Sequence, residues 1–497
     1  MSTGTINWQK KAEQLHFEGR AYIDGAYRKA LSGKEFTTIN PATGKVLASI
    51  EWCGEEDVEL AVRAARRAFD GGAWSELAPR SKMEILKRFA SLIQDNIEEL
   101  ALLESLDVGK PIANALSVDI SNTAYCISWF AELIDKVPGE VVPVDPALLG
   151  MVTREPVGVV AAIVPWNFPL LMASWKFAPA LAAGNAVILK PSEKSPLTAI
   201  RIAALAEAAG IPPGIFQVLP GAGNVGQALA SHLDVDCVAF TGSTAVGKQI
   251  ANYAAQSNLK RVWLELGGKS PNIILADCKD LKAAARAAAG AICYNAGQMC
   301  TAGSRVLVAR EIREAFLSEL KVAMADYRPG DPLSPETNLG AVVDQRQFDK
   351  VLSYIAQGQK EGATLLQGGA AVQAIHPDGL FIEPAIFDCP QPNLTICREE
   401  IFGPVLSVIT FDDVDEAVRI ANDSQYGLGA AVWTQDVSTA HKVARQLRAG
   451  TVWVNCYEEG GDMNLPFGGY KQSGNGRDKS LHALEKYTEL KSTLIKL

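Results

Sequence analysis

Apolar positions recur along this chain with two different periods, and the change from one to the other marks out its organisation. Over residues 57–70, Val58, Val62, Ala65 and Phe69 fall at helical spacing, and Met83, Leu86, Phe89 and Ile93 repeat the pattern in a second amphipathic segment. The first 55 residues look instead like short strands and turns, with Tyr22-Ile23 leading into Asp24-Gly25, a hairpin-type dipeptide. From residue 157, apolar runs at 157–164, 186–190, 215–219, 236–241 and 260–266 predict strands. Helical segments at about 172–183, 195–209, 225–232 and 245–256 alternate with them. Strands separated by helices of that length predict a parallel, doubly wound sheet, whose ligands bind at the C-terminal strand ends. Lys190, Gly221, Thr241 and Glu265 fall at or near those ends.

A second α/β pattern runs from about 270 to 460, with helices near 280–293, 312–326, 347–361, 413–422 and 436–448. Residues 137–155 and 488–497 read as strands outside both units. Val141-Val142-Pro143-Val144 and Thr493-Leu494-Ile495 are candidate pairing segments, a pattern compatible with an intersubunit arm.

Composition narrows the class. A chain of 497 residues suggests roughly three domains. A net charge of −9 without a basic block argues against nucleic-acid binding. Between Glu155 and Lys190 the only charge is Lys176, but Pro165, Asn167, Pro169, Gly184 and Asn185 break the run. It predicts a buried α/β core, not a membrane span. Nine scattered cysteines, without paired or metal-like spacing, favour free thiols in a reducing compartment, and the first ten residues carry no secretory pattern. The expected location is therefore cytoplasmic, with no metal site.

Four segments carry candidate chemistry. Gly221-Ala222-Gly223-Asn224-Val225-Gly226 matches G-x-G-x-x-G between a strand and a helix, which is either a dinucleotide fingerprint or a plain strand-to-helix turn. Phe240-Thr241-Gly242-Ser243-Thr244 is a second such junction, where Ser243 or Thr244 caps a helix whose free N–H groups either serve only that cap or suit a phosphate. Lys190-Pro191-Ser192-Glu193 follows a strand and is either a solvated loop or a ribose clamp; a carboxylate there favours NAD over NADP. Cys300, in Asn295-Ala296-Gly297-Gln298-Met299-Cys300, reads as a packed thiol when taken alone. With the strand-end carboxylate Glu265 and the amide Asn167 it becomes a candidate nucleophile with a base and an oxyanion donor.

The segments Pro165-Trp166-Asn167-Phe168-Pro169, Leu264-Glu265-Leu266-Gly267-Gly268-Lys269-Ser270-Pro271, Gly297-Gln298-Met299-Cys300 and Glu400-Ile401-Phe402-Gly403-Pro404 resemble the signature set of NAD(P)-dependent aldehyde dehydrogenases. The resemblance implies a Rossmann-type NAD-binding domain over 1–136 and 156–266, an α/β catalytic domain over 267–468, and a small β oligomerisation arm over 137–155 and 484–497. It implies Cys300 as nucleophile, Glu265 as general base, Asn167 as oxyanion donor and Lys176 near the active centre. Lys190 and Glu193 would hold the adenosine ribose, Gly242 and Ser243 the pyrophosphate, and Glu400 the nicotinamide ribose with Phe402 beside it. Ile163, Trp166, Gly226 and Leu266 would complete the cofactor site, while Gly221 and Gly223 would not touch the cofactor. A homotetramer or homodimer is implied.

The closing segment Pro466-Phe467-Gly468-Gly469-Tyr470-Lys471-Gln472-Ser473-Gly474-Asn475-Gly476-Arg477-Asp478-Lys479-Ser480 is similar to bacterial enzymes that oxidise 4-guanidinobutyraldehyde, γ-glutamyl-γ-aminobutyraldehyde and 4-aminobutyraldehyde. Glu458, Glu459 and Asp462 are expected to line the mouth of the substrate tunnel and attract a cationic tail, with Phe168, Trp175 and Phe467 as its walls. A solvated acidic loop is the alternative for those carboxylates. A broad-range aliphatic or hydroxyaldehyde dehydrogenase, and a catalytically silent protein on the same fold, are the competing functions.

Overall fold

The computed structural model describes residues 6–459 and 462–497. Its first sheet opens with the hairpin β1 (Ala21–Ile23) and β2 (Ala26–Arg28), joined by Asp24 at φ 53° and Gly25 at φ 77°. Both turn residues are left-handed, as a two-residue hairpin loop requires. Five parallel strands follow: β3 (Val159–Ile163), β4 (Ala186–Lys190), β5 (Phe216–Val218), β6 (Cys237–Thr241) and β7 (Arg261–Glu265). The sheet order is β7-β6-β3-β4-β5-β1-β2. Every residue of β3 and β4 is buried, which fits a parallel sheet covered by helices on both faces. The helices are α1 (Pro169–Ala182), α2 (Leu197–Ala209), α3 (Gly223–Ser231) and α4 (Thr244–Gln256).

Strand order reverses between β3 and β6, so their C-terminal ends diverge into a crevice. Pro165-Trp166-Asn167 leaves β3 on one side of it and Gly242-Ser243 leaves β6 on the other. The candidate residues converge there because of this topology.

The second sheet contains β8 (Pro271–Ile274), β9 (Arg305–Ala309), β10 (Thr364–Gln367), β11 (Ala385–Cys389), β12 (Val405–Phe411), β13 (Gly429–Trp433) and β14 (Thr451–Val454), in the order β10-β11-β12-β9-β8-β13-β14. Only the β10–β11 pair is antiparallel. A third, antiparallel sheet pairs Leu148–Pro156 with both Glu140–Val142 and Thr488–Lys496. The two segments expected to pair therefore do not meet each other: Val141 and Thr493 flank Met151. Leu484 and Tyr487, which the sequence placed in the arm, pack instead into the first core.

Besides short helical turns such as Trp8–Ala12 and Thr395–Arg398, two long helices had no counterpart in the sequence reading. In Ile97–Val108 every residue from Leu100 onward is buried, so no polar face marks its period. Ser121–Leu133 continues from a π-helical turn, Ala115–Ile120, which breaks the 3.6-residue spacing. No helix among the described residues is long and apolar enough to cross a membrane.

Candidate active site

Cys300 is delivered by a turn that few sequences can make. Asn295, Ala296 and Gly297 stand at φ 49°, 53° and 71°, three successive left-handed residues. Two of them carry a Cβ, and each costs about 1 kcal/mol or more. Side chains hold the turn in place. Gln298 donates to the Asn295 carbonyl and accepts from the Val343 N–H, both at 3.0 Å. Asn295 donates to the Asn167 carbonyl at 2.8 Å, and the Asn167 amide donates to the Gln298 carbonyl at 2.8 Å. Gly297 lies against Gly403, where an added Cβ would come within 2.3 Å of backbone.

Two cavities meet at this turn. One, of about 180 Å³, occupies the crevice between β3 and β6. Of the expected cofactor residues, Trp166, Gly242, Ser243, Leu266, Glu400 and Phe402 line it, together with Asn167. Ile163, Lys190, Glu193 and Gly226 lie outside that lining. Lys190 and Ile163 pair across neighbouring strand ends, Lys190 is ion-paired with Glu193 at 3.6 Å, and Gly226 faces Ile163. Gly221 is a packing glycine, since a Cβ there would lie 2.6 Å from Val225.

The sequence reading missed Gln347 and Lys350. One turn apart on a helix, both line this cavity and clamp the 400–402 turn. Gln347 donates to the Ile401 and Phe402 carbonyls at 3.0 and 2.8 Å, and Lys350 donates to the Glu400 carbonyl at 3.0 Å. A pair of polar residues at i and i+3 was the available signal. Phe402 sits at φ 60° with its ring edge-on to Trp166. The Glu400 carboxylate accepts the Gly268 N–H at 2.9 Å, and burial raises its pKa.

The cavity suits a dinucleotide. A Cβ on Gly267 would sit 2.4 Å from the Glu400 carboxylate, so only glycine leaves this space open. The Thr241 hydroxyl is buried without a protein partner, and Ser243 caps the N-terminus of α4, accepting the Val246 N–H at 3.4 Å. The Thr241 hydroxyl is thus a vacant donor, and the start of α4 presents a helix dipole of the sign a phosphate requires.

The second cavity, of about 320 Å³, is lined by Phe168, Trp175 and Phe467, and also by Tyr294, Met299 and Trp453. Trp175 and Phe467 meet at 5.0 Å between ring centroids, and Phe168 stacks on Tyr294 at 6.2 Å. Cys300 and Met172 are the residues shared by both linings.

The acidic mouth differs from expectation. Glu458 and Glu459 line the cavity, whereas Asp462 does not and instead caps Asn464. Glu458, at φ 54°, is turned into the wall, where it accepts the Thr301 hydroxyl. Burial pushes its pKa up to about 7. A cation that the sequence reading did not place, Lys479, lines the same cavity.

Cys300 is half-buried, and its thiol is pushed up by burial first and then by the carboxylates of Glu458, Glu400 and Glu265. Glu265, expected beside it, lines neither cavity. Its carboxylate packs under Gly468, 2.8 Å from where a Cβ would stand, and both oxygens lack a hydrogen-bond partner. Burial, followed by the charge of Asp478, raises its pKa well above the usual range. Lys176 also lies behind the cavities, fully buried and ion-paired with Asp478. The arrangement therefore offers a thiol at the junction of two cavities, an amide beside it, and an unanchored carboxyl group behind.

Comparison with known proteins agrees with this geometry. Residues 27–493 match the description "Aldehyde dehydrogenase family". The chain is 53% identical to the NADP/NAD-dependent aldehyde dehydrogenase PuuC of Escherichia coli K12, over 99% of this chain and 98% of that one. It is 64% identical to the solved γ-glutamyl-γ-aminobutyraldehyde dehydrogenase of Burkholderia cenocepacia J2315, with a TM-score of 0.97 and 99% of each chain covered. It is 58% identical to the indole-3-acetaldehyde dehydrogenase AldA of P. syringae, solved with NAD⁺ and IAA, with the same TM-score and coverage.

Proposed function

The chain belongs to the aldehyde dehydrogenase family, and on that footing we propose that it oxidises a nitrogen-bearing aldehyde to its acid at Cys300. The proposed substrates are the amino and guanidino aldehydes of polyamine and arginine breakdown: γ-glutamyl-γ-aminobutyraldehyde, 4-guanidinobutyraldehyde and 4-aminobutyraldehyde. One observation carries the reading. Cys300 lines both the nucleotide-sized crevice and the aromatic cavity, so a carbonyl bound at its sulfur faces both.

In this reading the Cys300 sulfur adds to the aldehyde carbon. The oxyanion takes the Asn167 amide proton not committed to Gln298, with the Cys300 N–H as second donor. NAD⁺ supplies the hydride acceptor when bound. Glu400 and Phe402 would hold its nicotinamide ribose, Gly242 and Ser243 its pyrophosphate, and Lys190 and Glu193 its adenosine ribose. Ile163, Trp166, Gly226 and Leu266 complete that wall. The resulting thioester on Cys300 is hydrolysed by water that Glu265 deprotonates. The unpartnered Glu265 carboxyl is free to rotate toward the sulfur, because nothing hydrogen-bonds it where it lies.

We assign residues 1–136 and 156–266 to cofactor binding, 267–468 to catalysis, and 137–155 with 488–497, the part of 484–497 that forms the third sheet, to an arm that joins subunits into a homodimer or homotetramer. Val141, Leu490, Leu494 and Ile495 are exposed on its sheet, which supports that use. Nine free cysteines suit a reducing compartment, and we place the protein in the cytoplasm.

The decisive experiment is Cys300→Ala. It should abolish NADH formation from 4-aminobutyraldehyde while NAD⁺ still quenches tryptophan fluorescence. Substantial residual turnover would remove Cys300 from the mechanism.

A further inference from the structure

Lys479 holds an ammonium in the aromatic cavity without a carboxylate to pair with. Its Nζ stands 5.6 Å from the centre of the Trp175 ring, and the residue is 8% exposed. The three acids whose charge acts on it, Asp478, Glu458 and Asp462, are engaged elsewhere. The two carboxylate oxygens of Asp478 are taken separately by Lys176 and Lys486. One Glu458 oxygen accepts from Thr301, and Asp462 accepts from both the backbone and the side chain of Asn464. Among the described residues no carboxylate lies within ion-pair distance of this ammonium.

The backbone is bent to aim it there. Lys479 and Ser480 both adopt left-handed φ, 60° and 52°, a costly pair for residues with a Cβ. The bend is pinned on each side. Asp478 and Phe467 exchange both backbone hydrogen bonds, at 2.6 and 2.7 Å, and the Ser480 N–H donates to the Met463 carbonyl at 2.7 Å. Consecutive side chains are thereby sent apart. Asp478 goes back to Lys176, and Lys479 goes forward into the cavity that opens on Cys300.

We propose that Lys479 is a specificity-determining residue that binds a carboxylate at the far end of the aldehyde substrate. This rests on the dehydrogenase reading above and narrows it. An acyclic aldehyde with an anionic terminus would lay its chain along Trp175 and Phe467, with its carbonyl at Cys300 and its carboxylate on the Lys479 ammonium. Burial lowers the pKa of this lysine, and an arriving anion reverses that effect. Where the same terminus also carries an ammonium, as an α-amino acid does, Glu459 at the rim supplies the opposite charge. Charge at the tail end is therefore read in both signs, and not as the purely acidic mouth the sequence suggested.

The test compares ω-oxo acids with n-alkanals of equal length, over increasing lengths, at saturating NAD⁺. It uses the full-length wild-type chain, Lys479→Gln and Lys479→Arg. At the length that spans the cavity the wild type should prefer the oxo acid in kcat/KM by about ten-fold, the worth of one charge-assisted contact. Lys479→Gln should lose that preference and Lys479→Arg should keep most of it. The assignment is overturned if the wild type favours the oxo acid at no length, a result that needs no variant to fold. It is equally overturned if Lys479→Gln discriminates as the wild type does. A wild type that oxidises 4-aminobutyraldehyde but neither series overturns this assignment alone, and one that oxidises none of the three overturns the dehydrogenase reading with it.

Discussion

Lys176 and Asp478, 302 residues apart in the chain, form an ion pair with both side chains buried, and Lys486 closes on the same carboxylate from the other side. The pair fastens the C-terminal segment to α1 directly behind Glu265. Asp478→Asn leaves two buried ammonium groups without their counter-ion. Removing one partner of a buried pair typically costs about 3–5 kcal/mol. Ionisation of Glu265 should offset part of that, so a loss near the lower end is expected in urea unfolding. Asp478 also opposes the Glu265 charge. The variant's Glu265 should therefore ionise at lower pH, moving the rising limb of the kcat profile toward acid. A limb that stays in place would show that the two carboxyls do not sense each other.

Glu265→Gln is expected to spare thioester formation and slow its hydrolysis. A well-placed general base is worth about 10²–10⁴ in rate. The first turnover should appear as an NADH burst of full amplitude, followed by a steady rate lower by at least two powers of ten. A variant with normal steady turnover and no burst would reverse the assignment.

Asn167→Ala removes one of the two donors placed for the oxyanion and also frees the Gln298 carbonyl that positions the Cys300 turn. A single such donor contributes about 10²–10³ to kcat. A fall of that size with little change in the KM for NAD⁺ is expected, read from steady-state kinetics. A change confined to KM would make Asn167 a binding residue.

The sequence made some of this site legible and concealed the rest for identifiable reasons. Strands β3, β4 and β6 could be read because parallel strands buried on both faces are apolar up to their last residue, and the helices between them carry turn signals at their ends. Cys300, Asn167 and Glu265 stood out through their local motifs. Lys479 did not, because the direction of its side chain depends on two left-handed residues and on a backbone pair with Phe467, far from any local pattern. Glu458 was read as solvated or tail-binding, but its partner Thr301 is brought near only by the fold of the second sheet. Gln347 and Lys350 were hidden in an amphipathic helix whose polar face looks like an ordinary solvated surface.

Gly267→Ala should damage cofactor binding more than folding. The new methyl would lie 2.4 Å from the half-buried Glu400 carboxylate, which is itself tied to the Gly268 N–H. Glu400 must move, and the KM for NAD⁺ is expected to rise about ten-fold, while kcat with saturating cofactor changes less. An unchanged KM would mean that Glu400 does not contact the nucleotide.

The pH dependence of Cys300 should contain the titration of Glu458. With a pKa raised to about 7 by burial, Glu458 is neutral in mildly acidic solution and charged above neutrality. Its charge is the largest carboxylate contribution that raises the Cys300 thiol. Glu458→Gln should therefore leave inactivation by iodoacetamide unchanged below about pH 6 and accelerate it about three- to ten-fold above neutrality, since one pKa unit is a factor of ten in thiolate. Linkage gives a second reading of the same group. A carboxyl whose folded pKa exceeds its unfolded value stabilises the fold below the unfolded pKa of about 4.5, and that stability is lost as pH rises through about 7. The wild type should thus lose unfolding free energy across that interval relative to Glu458→Gln. Superimposable alkylation profiles, with parallel stability curves, would mean that Glu458 keeps its ordinary carboxylate pKa and has no hold on the nucleophile.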